Sequence, residues 1–231
     1  NIEIKGGIEL QGDSDDKNNF IQFGLKYQVE NINDRLSEWE RIDSAGYSLP
    51  YDENELLLTS VVKSENEINS NRIQGYVQNS FNITQSDKYE LKLMGGVRLH
   101  HWTYNNETKI SPRFQIFYQP LAWKKEFTFK ISGGVYNQPA FYRELRRPAG
   151  SINSNIRAQK STHLVLGMSH DFYMKKISRS KFRLITELYY KKLDDLISYE
   201  IDNVRIRYSG ENDASGYVAG LDFRINGEFV P

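Results

Sequence analysis

The chain contains no cysteine, which excludes a disulfide framework, a thiolate metal centre and a cysteine nucleophile. It leaves the compartment open, because many envelope proteins avoid thiols. Net charge is also missing, since 30 Lys and Arg balance 30 Asp and Glu among 231 residues. A nucleic-acid binder normally carries a basic excess to neutralise phosphates, so no nucleic-acid partner is expected. No apolar run approaches the roughly 18 residues of a transmembrane helix, and mean hydropathy is −0.64. That does not exclude a membrane, because a barrel strand needs only about ten residues and shows lipid on alternate positions. No basic-then-apolar leader follows Asn1, so any secretion signal is expected upstream or removed. What remains is aromatic-rich, at 13%, with 39% hydrophobic residues, enough to bury apolar surface and unlike a disordered chain.

Helical periodicity is weak, whereas alternation with a period of two recurs along the chain. In residues 89–99, Tyr89, Leu91, Leu93, Val97 and Leu99 share one face, while Glu90, Lys92 and Arg98 share the other. The same reading holds for windows 21–29, 73–83, 110–118, 127–135, 162–172, 182–190 and 217–225. Across all of them the apolar face holds no Asp, Glu, Lys or Arg, and the charges collect opposite. Successive side chains in a strand point to opposite faces, so each segment has one dry side and one wet side. A charge at the bilayer midplane of a barrel costs roughly 2 to 4 kcal/mol, and lipid would impose this exclusion. The inner face of a soluble sandwich would look the same.

Connection lengths separate the two. Turn-like segments at 13–18, 84–88, 120–124 and 174–181 fall between long connections at 44–69, 138–157 and 199–212, with one brief exception at 104–107. Tight turns at one end and long loops at the other mark an up-and-down transmembrane barrel. The expected strands are nine: 2–11, 19–42, 70–83, 89–103, 108–119, 125–137, 158–173, 182–198 and 213–226. Strands this long exceed the sandwich norm of about five to six residues. Phe117, Tyr118, Trp123, Phe172 and Tyr173 near the tight turns, with Trp102 and Tyr104 at the opposite ends, suit the aromatic girdles of two membrane interfaces.

Catalytic and metal chemistry finds little support. His100, His101, His163 and His170 show no metal-ligand spacing, and adjacent His100 and His101 point to opposite faces of a strand. Ser161 and His163 share a face, the one also carrying Gln159, Ser169 and Asp171, but no third group orients them. Asp194 and Asp195 are neighbours on opposite faces and cannot converge on one bond as a glycosidase pair must. No catalytic residue, metal or cofactor is therefore expected. The ligand-contact candidates lie after the sixth strand: Tyr136, Asn137, Gln138, Phe141, Tyr142, Arg143, Arg146 and Arg147. Aromatic rings beside guanidiniums can stack on a sugar or cyclic ligand, or clamp an anion. A surface loop anchored by its aromatics, or arginines on lipopolysaccharide phosphates, reads equally from these residues.

The stretches QFGLKY (22–27), LSEWERIDSAGYSLP (36–50), SPRFQIFYQP (111–120), YNQPAFYRELRRP (136–148) and AQKSTHLVLG (158–167) resemble the barrel of TonB-dependent outer-membrane receptors of the Bacteroidetes type. So does the closing run 187–231, above all YSGENDASGYVAGLDFR (208–224). The resemblance implies a plugged barrel of about 22 strands that imports a scarce nutrient, a ferric siderophore, vitamin or oligosaccharide. It implies a Gram-negative outer membrane and its lipid, TonB acting through the plug, a surface lipoprotein and an imported small molecule as partners. Nine strands cannot close such a wall. Residues 1–231 are thus expected to be an internal part of one barrel domain, with plug and remaining strands outside this sequence. A surface-attached or soluble sandwich that binds glycans is the second reading, and a barrel enzyme the third.

Overall fold

The structure is a computed structural model, described here for residues 2–11, 18–40, 58–85, 87–174, 180–202 and 204–228. Eleven strands run in chain order: β1 (Ile2–Gln11), β2 (Asn18–Glu40), β3 (Ser60–Gln85), β4 (Tyr89–Trp102), β5 (Glu107–Pro120), β6 (Glu126–Gln138), β7 (Gln159–Tyr173), β8 (Lys181–Leu196), β9 (Tyr199–Asp202), β10 (Arg205–Tyr208) and β11 (Ala214–Asn226). One 3-10 turn, Tyr142–Leu145, interrupts the pattern. Nine strands form one antiparallel meander in the order β1 to β8 and then β11, and β9 pairs only with β10. This is the up-and-down β-barrel fold expected from the alternation.

Register shows what the alternation accomplishes. Phe81, Leu93, Ile116, Ile131, Leu166, Leu188 and Leu221 stand directly opposite one another across seven strands. One step along, Ser80, Met94, Gln115, Ser132, Val165 and Tyr189 form the matching row on the other face. The first face is an unbroken apolar belt, and Phe23, Leu25, Val77, Leu99, Phe114, Leu164 and Phe223 on it are exposed. Cross-strand pairs are the unit of sheet stabilisation, so a shared register also locks each strand against slipping by one residue.

The structure corrects three expectations. β3 begins at Ser60 and not near residue 70. Residues 60–69 pair with β2 through Asn31↔Asn69, Asn33↔Glu67, Arg35↔Glu65 and Ser37↔Lys63, all exposed. With polar side chains on the outer face the period-2 signal vanishes, although the ladder continues beyond the apolar belt. The connection 199–212 contains the β9–β10 hairpin. Trp102 is no girdle residue: it is 2% exposed on the polar side, under the β6–β7 connection. At the short-turn end an aromatic cluster forms on the apolar face, with Trp123 edge-on to Phe127 and Phe129, Phe127 stacked on His170 and Tyr118 beside Tyr89 and Phe129. Phe117 and Tyr173, by contrast, fall on the polar face opposite Lys130 and Lys181.

The buried core lies at the long-loop end, where Ile68, Trp102, Ala140, Leu145, Ile156 and Ile197 pack together. It fastens the 20-residue stretch between β6 and β7 against the polar face of the wall.

Candidate functional site

The β6–β7 connection folds into a compact roof because its backbone groups find partners on β3, on the β4–β5 turn and on β5. Asn66 Nδ2 donates to Gly150 O at 3.1 Å, Arg72 to Ala140 O at 3.1 Å and Asn105 Nδ2 to Ile156 O at 2.6 Å. The Ala158 N–H donates to Glu107 at 2.8 Å. At the 3-10 turn, Glu144 accepts from the Phe141 N–H at 3.0 Å and from Gln159 Nε2 at 3.0 Å. This carboxylate is 6% exposed, and burial raises its pKa above the usual range, partly offset by those two donors.

The segment Ser209–Asp213, within the most specific stretch of the sequence resemblance, closes this roof from the other side. Glu211 takes Arg147 at 2.7 Å and Asn153 Nδ2 at 3.0 Å. Asn212 Oδ1 accepts the Arg157 N–H at 2.7 Å, and Asp213 takes both donors of Ser198, the hydroxyl at 2.7 Å. Gly210 has φ +70°, and a Cβ there would meet Arg147 N at 3.0 Å, so only glycine permits this approach. Sequence reading finds the motif without its role as a latch, because its partners lie some 55–65 residues away.

The ligand-contact candidates divide between two places. Tyr136 belongs to the polar face of β6, its ring held between the Arg113 guanidinium at 4.2 Å and the His163 ring at 4.4 Å. Asn137 bridges to β5, donating to Ile110 O at 3.2 Å and Ser111 Oγ at 3.0 Å. It does so where the β5–β6 ladder ends at Arg113↔Gly134, beside Pro112, which has no N–H to continue it. Gln138 ends β6, exposed.

The remaining five line an outer cleft of about 700 Å³ between β2, the roof and the β9–β10 hairpin. Phe141 meets Tyr208 edge-on at 5.4 Å, and Arg143 Nε donates to Tyr142 Oη at 3.0 Å. Arg146 is bound to the buried Asp34 at 2.8 Å, and Arg147 to Glu211 at 2.7 Å. Across the cleft Arg35 pairs with Glu65 at 2.7 Å, and Arg205 and Arg207 pair with Glu38 at 3.3 and 3.1 Å. Two of the three loop guanidiniums are therefore structural, leaving Arg143 and the aromatic edges as the surface offered to a ligand.

The other chemical candidates stay apart. Ser161 Oγ and His163 Nε2 lie 2.5 Å apart on the polar face, with Tyr136 against the imidazole ring and no carboxylate bonded to it among the described residues. Asp194 pairs with Lys192 at 3.0 Å and Asp195 with Arg157 at 2.7 Å. Among the described residues no three His, Asp or Glu side chains are grouped as a metal site.

No family model and no curated protein sequence matches the chain. Among solved structures it is similar to one described as the copper transporter OprC, with a TM-score of 0.55 and 15% identity over 96% of this chain. At that identity the likeness is one of fold, and it defines the class: an antiparallel up-and-down barrel wall of the kind found in a transporter. The chain spans 35% of the length of the OprC chain.

Proposed function

We propose that this chain forms wall and outer loops of a TonB-dependent outer-membrane transporter for a scarce small molecule, with the plug and the other strands supplied by the rest of the protein. The observation that carries this reading is the pairing of an apolar belt on one face with a polar opposite face roofed at one end by a folded loop. Lipid covers the belt, and the polar face looks into the lumen. β1 and β11 each pair on one side only among the described residues. An open edge in hydrocarbon leaves backbone groups unsatisfied, so further strands close the wall. The likeness to a transporter that this chain spans by 35% supports the same arrangement. Ligand first meets the outer cleft, where Phe141, Tyr142 and Tyr208 present ring edges and faces and Arg143 a guanidinium. Binding there shifts the plug and exposes its TonB-contacting segment, and the wall performs no covalent chemistry.

The experiment is growth of receptor-deleted and TonB-deleted strains on defined iron, vitamin and glycan sources. Both deletions should give the same defect on one source, and Tyr142→Ala in the intact receptor should raise the concentration needed for growth about tenfold. Recovery of the protein in the soluble fraction, or no source showing a shared defect, would overturn the reading.

A further inference from the structure

We propose that the polar face beneath the roof holds a second site, one that binds a small multiply charged anion through its carboxylate or phosphate groups. This deepens the transport reading by naming the charge class of the ligand. A basin of about 540 Å³ opens there between β3 and β8, within the roughly 300–1,000 Å³ of small-molecule pockets. Arg98 and Arg113 line it from the polar face together with neutral side chains, Lys160 adjoins it from the opposite register of β7, and no carboxylate lines it. Neither arginine has an ion-pair partner among the described residues.

Two other cations of the same face are neutralised by carboxylates. Lys130 bonds Glu187 across β7, and Arg183 grips Asp171 with two donors at 2.6 and 2.7 Å. Lys26, Lys92, Lys191 and Arg224 on this face also lack an ion-pair partner among the described residues, so what sets the basin apart is two unpaired arginines beside the buried His100. Arg113 is also held in place, its guanidinium carbon 4.2 Å from the centroid of the Tyr136 ring. It stands opposite Gly134 in the ladder, where a Cβ would come within 2.9 Å of its Cγ. A planar guanidinium pinned by its face keeps its edge donors free for a bidentate oxyanion.

A separate observation points to the same place. His100 is 8% exposed and lines the basin, yet its Nε2 has no hydrogen-bond partner. A buried polar nitrogen left unpaired is costly and uncommon. An oxyanion between Arg98 and Arg113 supplies what that nitrogen lacks and the counter-charge the arginines lack. The outer cleft then receives the ring-bearing part of a ligand and the basin its anionic end.

The test is calorimetric titration of the intact receptor in detergent with citrate, with inorganic phosphate and with maltose as a neutral control. At least one anion should bind saturably, with affinity reduced about tenfold or more in Arg98→Gln, Arg113→Gln and His100→Phe. The stronger of the two anions identifies the headgroup chemistry. Arg98 is exposed, so its variant serves if Arg113→Gln misfolds. Absence of saturable anion binding, or equal affinity in wild type and variants, overturns the proposal. So does a loss of barrel heat stability with unchanged anion affinity, which would show the cations pairing with another part of the protein. The transport reading survives those results, because it stands on TonB-dependent growth.

Discussion

Glu144 shows how a single side chain fixes the roof and ties it to pH. Its two acceptor oxygens each have a donor, and burial is the main cause raising its pKa. A carboxyl whose folded pKa lies above its value in the open loop takes up a proton on closing. The closed roof therefore gains stability as pH falls through the raised folded pKa toward the ordinary value of 4.5 and loses that gain as pH rises. Glu144→Gln should remove the dependence while keeping the roof closed, since Gln159 can turn its amide to suit. Glu144→Ala should open it at every pH. Trp102, packed in the same core, reports the outcome. In a background where the exposed Trp39 and Trp123 are Phe, its emission should shift to the red with rising pH in the parent. It should stay fixed in the Gln variant and stay red in the Ala variant.

At the scale of elements, the roof is a small domain built on a barrel rim, with its own core and latches. Leu145 is 1% exposed in that core. Leu145→Ala should cost about 2 to 5 kcal/mol of loop closure, with the barrel itself unaffected. Hydrogen exchange checks this: the amides of Gly150 and Asn153, bonded within the loop at 2.8 Å each, should exchange at least tenfold faster, while those of β4 and β5 keep their protection. Elements of this kind are where sequence reading runs short. The strands of the belt are legible because one face stays strictly free of charge, as from Tyr89 to Leu99. Residues 60–69 of β3 lose the signal because Lys63, Glu65, Glu67 and Asn69 meet water on the outer face. Phe141, Tyr142, Arg143, Arg146 and Arg147 share one cleft, while Tyr136, Asn137 and Gln138 from the same run line another. That Arg146 and Arg147 are spoken for by Asp34 and Glu211, 112 and 64 residues distant, depends on folding the sheet. The basin at His100 had no local signal at all, since it is assembled from side chains on successive strands.

For the whole molecule, the two faces of the sheet have to be told apart by their solvents. Leu93 lies in the middle of the apolar row, opposite Phe81 and Ile116. Gln115, one step away on the neighbouring strand, lies in the polar row opposite Met94 and Ser132. The two positions sit at the same height on the wall and differ in which face they occupy, so an identical charge placed at each compares lipid with lumen directly. Leu93→Arg should destabilise the barrel by about 2 to 4 kcal/mol, the cost of a cation near the bilayer midplane. Gln115→Arg should cost well under half of that, because its side chain meets water and polar neighbours. Folding of the intact receptor into phospholipid vesicles at graded urea, read by heat-modifiable migration, measures both. If the two arginines prove equally tolerated, the apolar belt is not in contact with lipid. The face would then have to be the inner surface of a sandwich, covered by a second sheet, and the transporter wall would be lost together with its lumen.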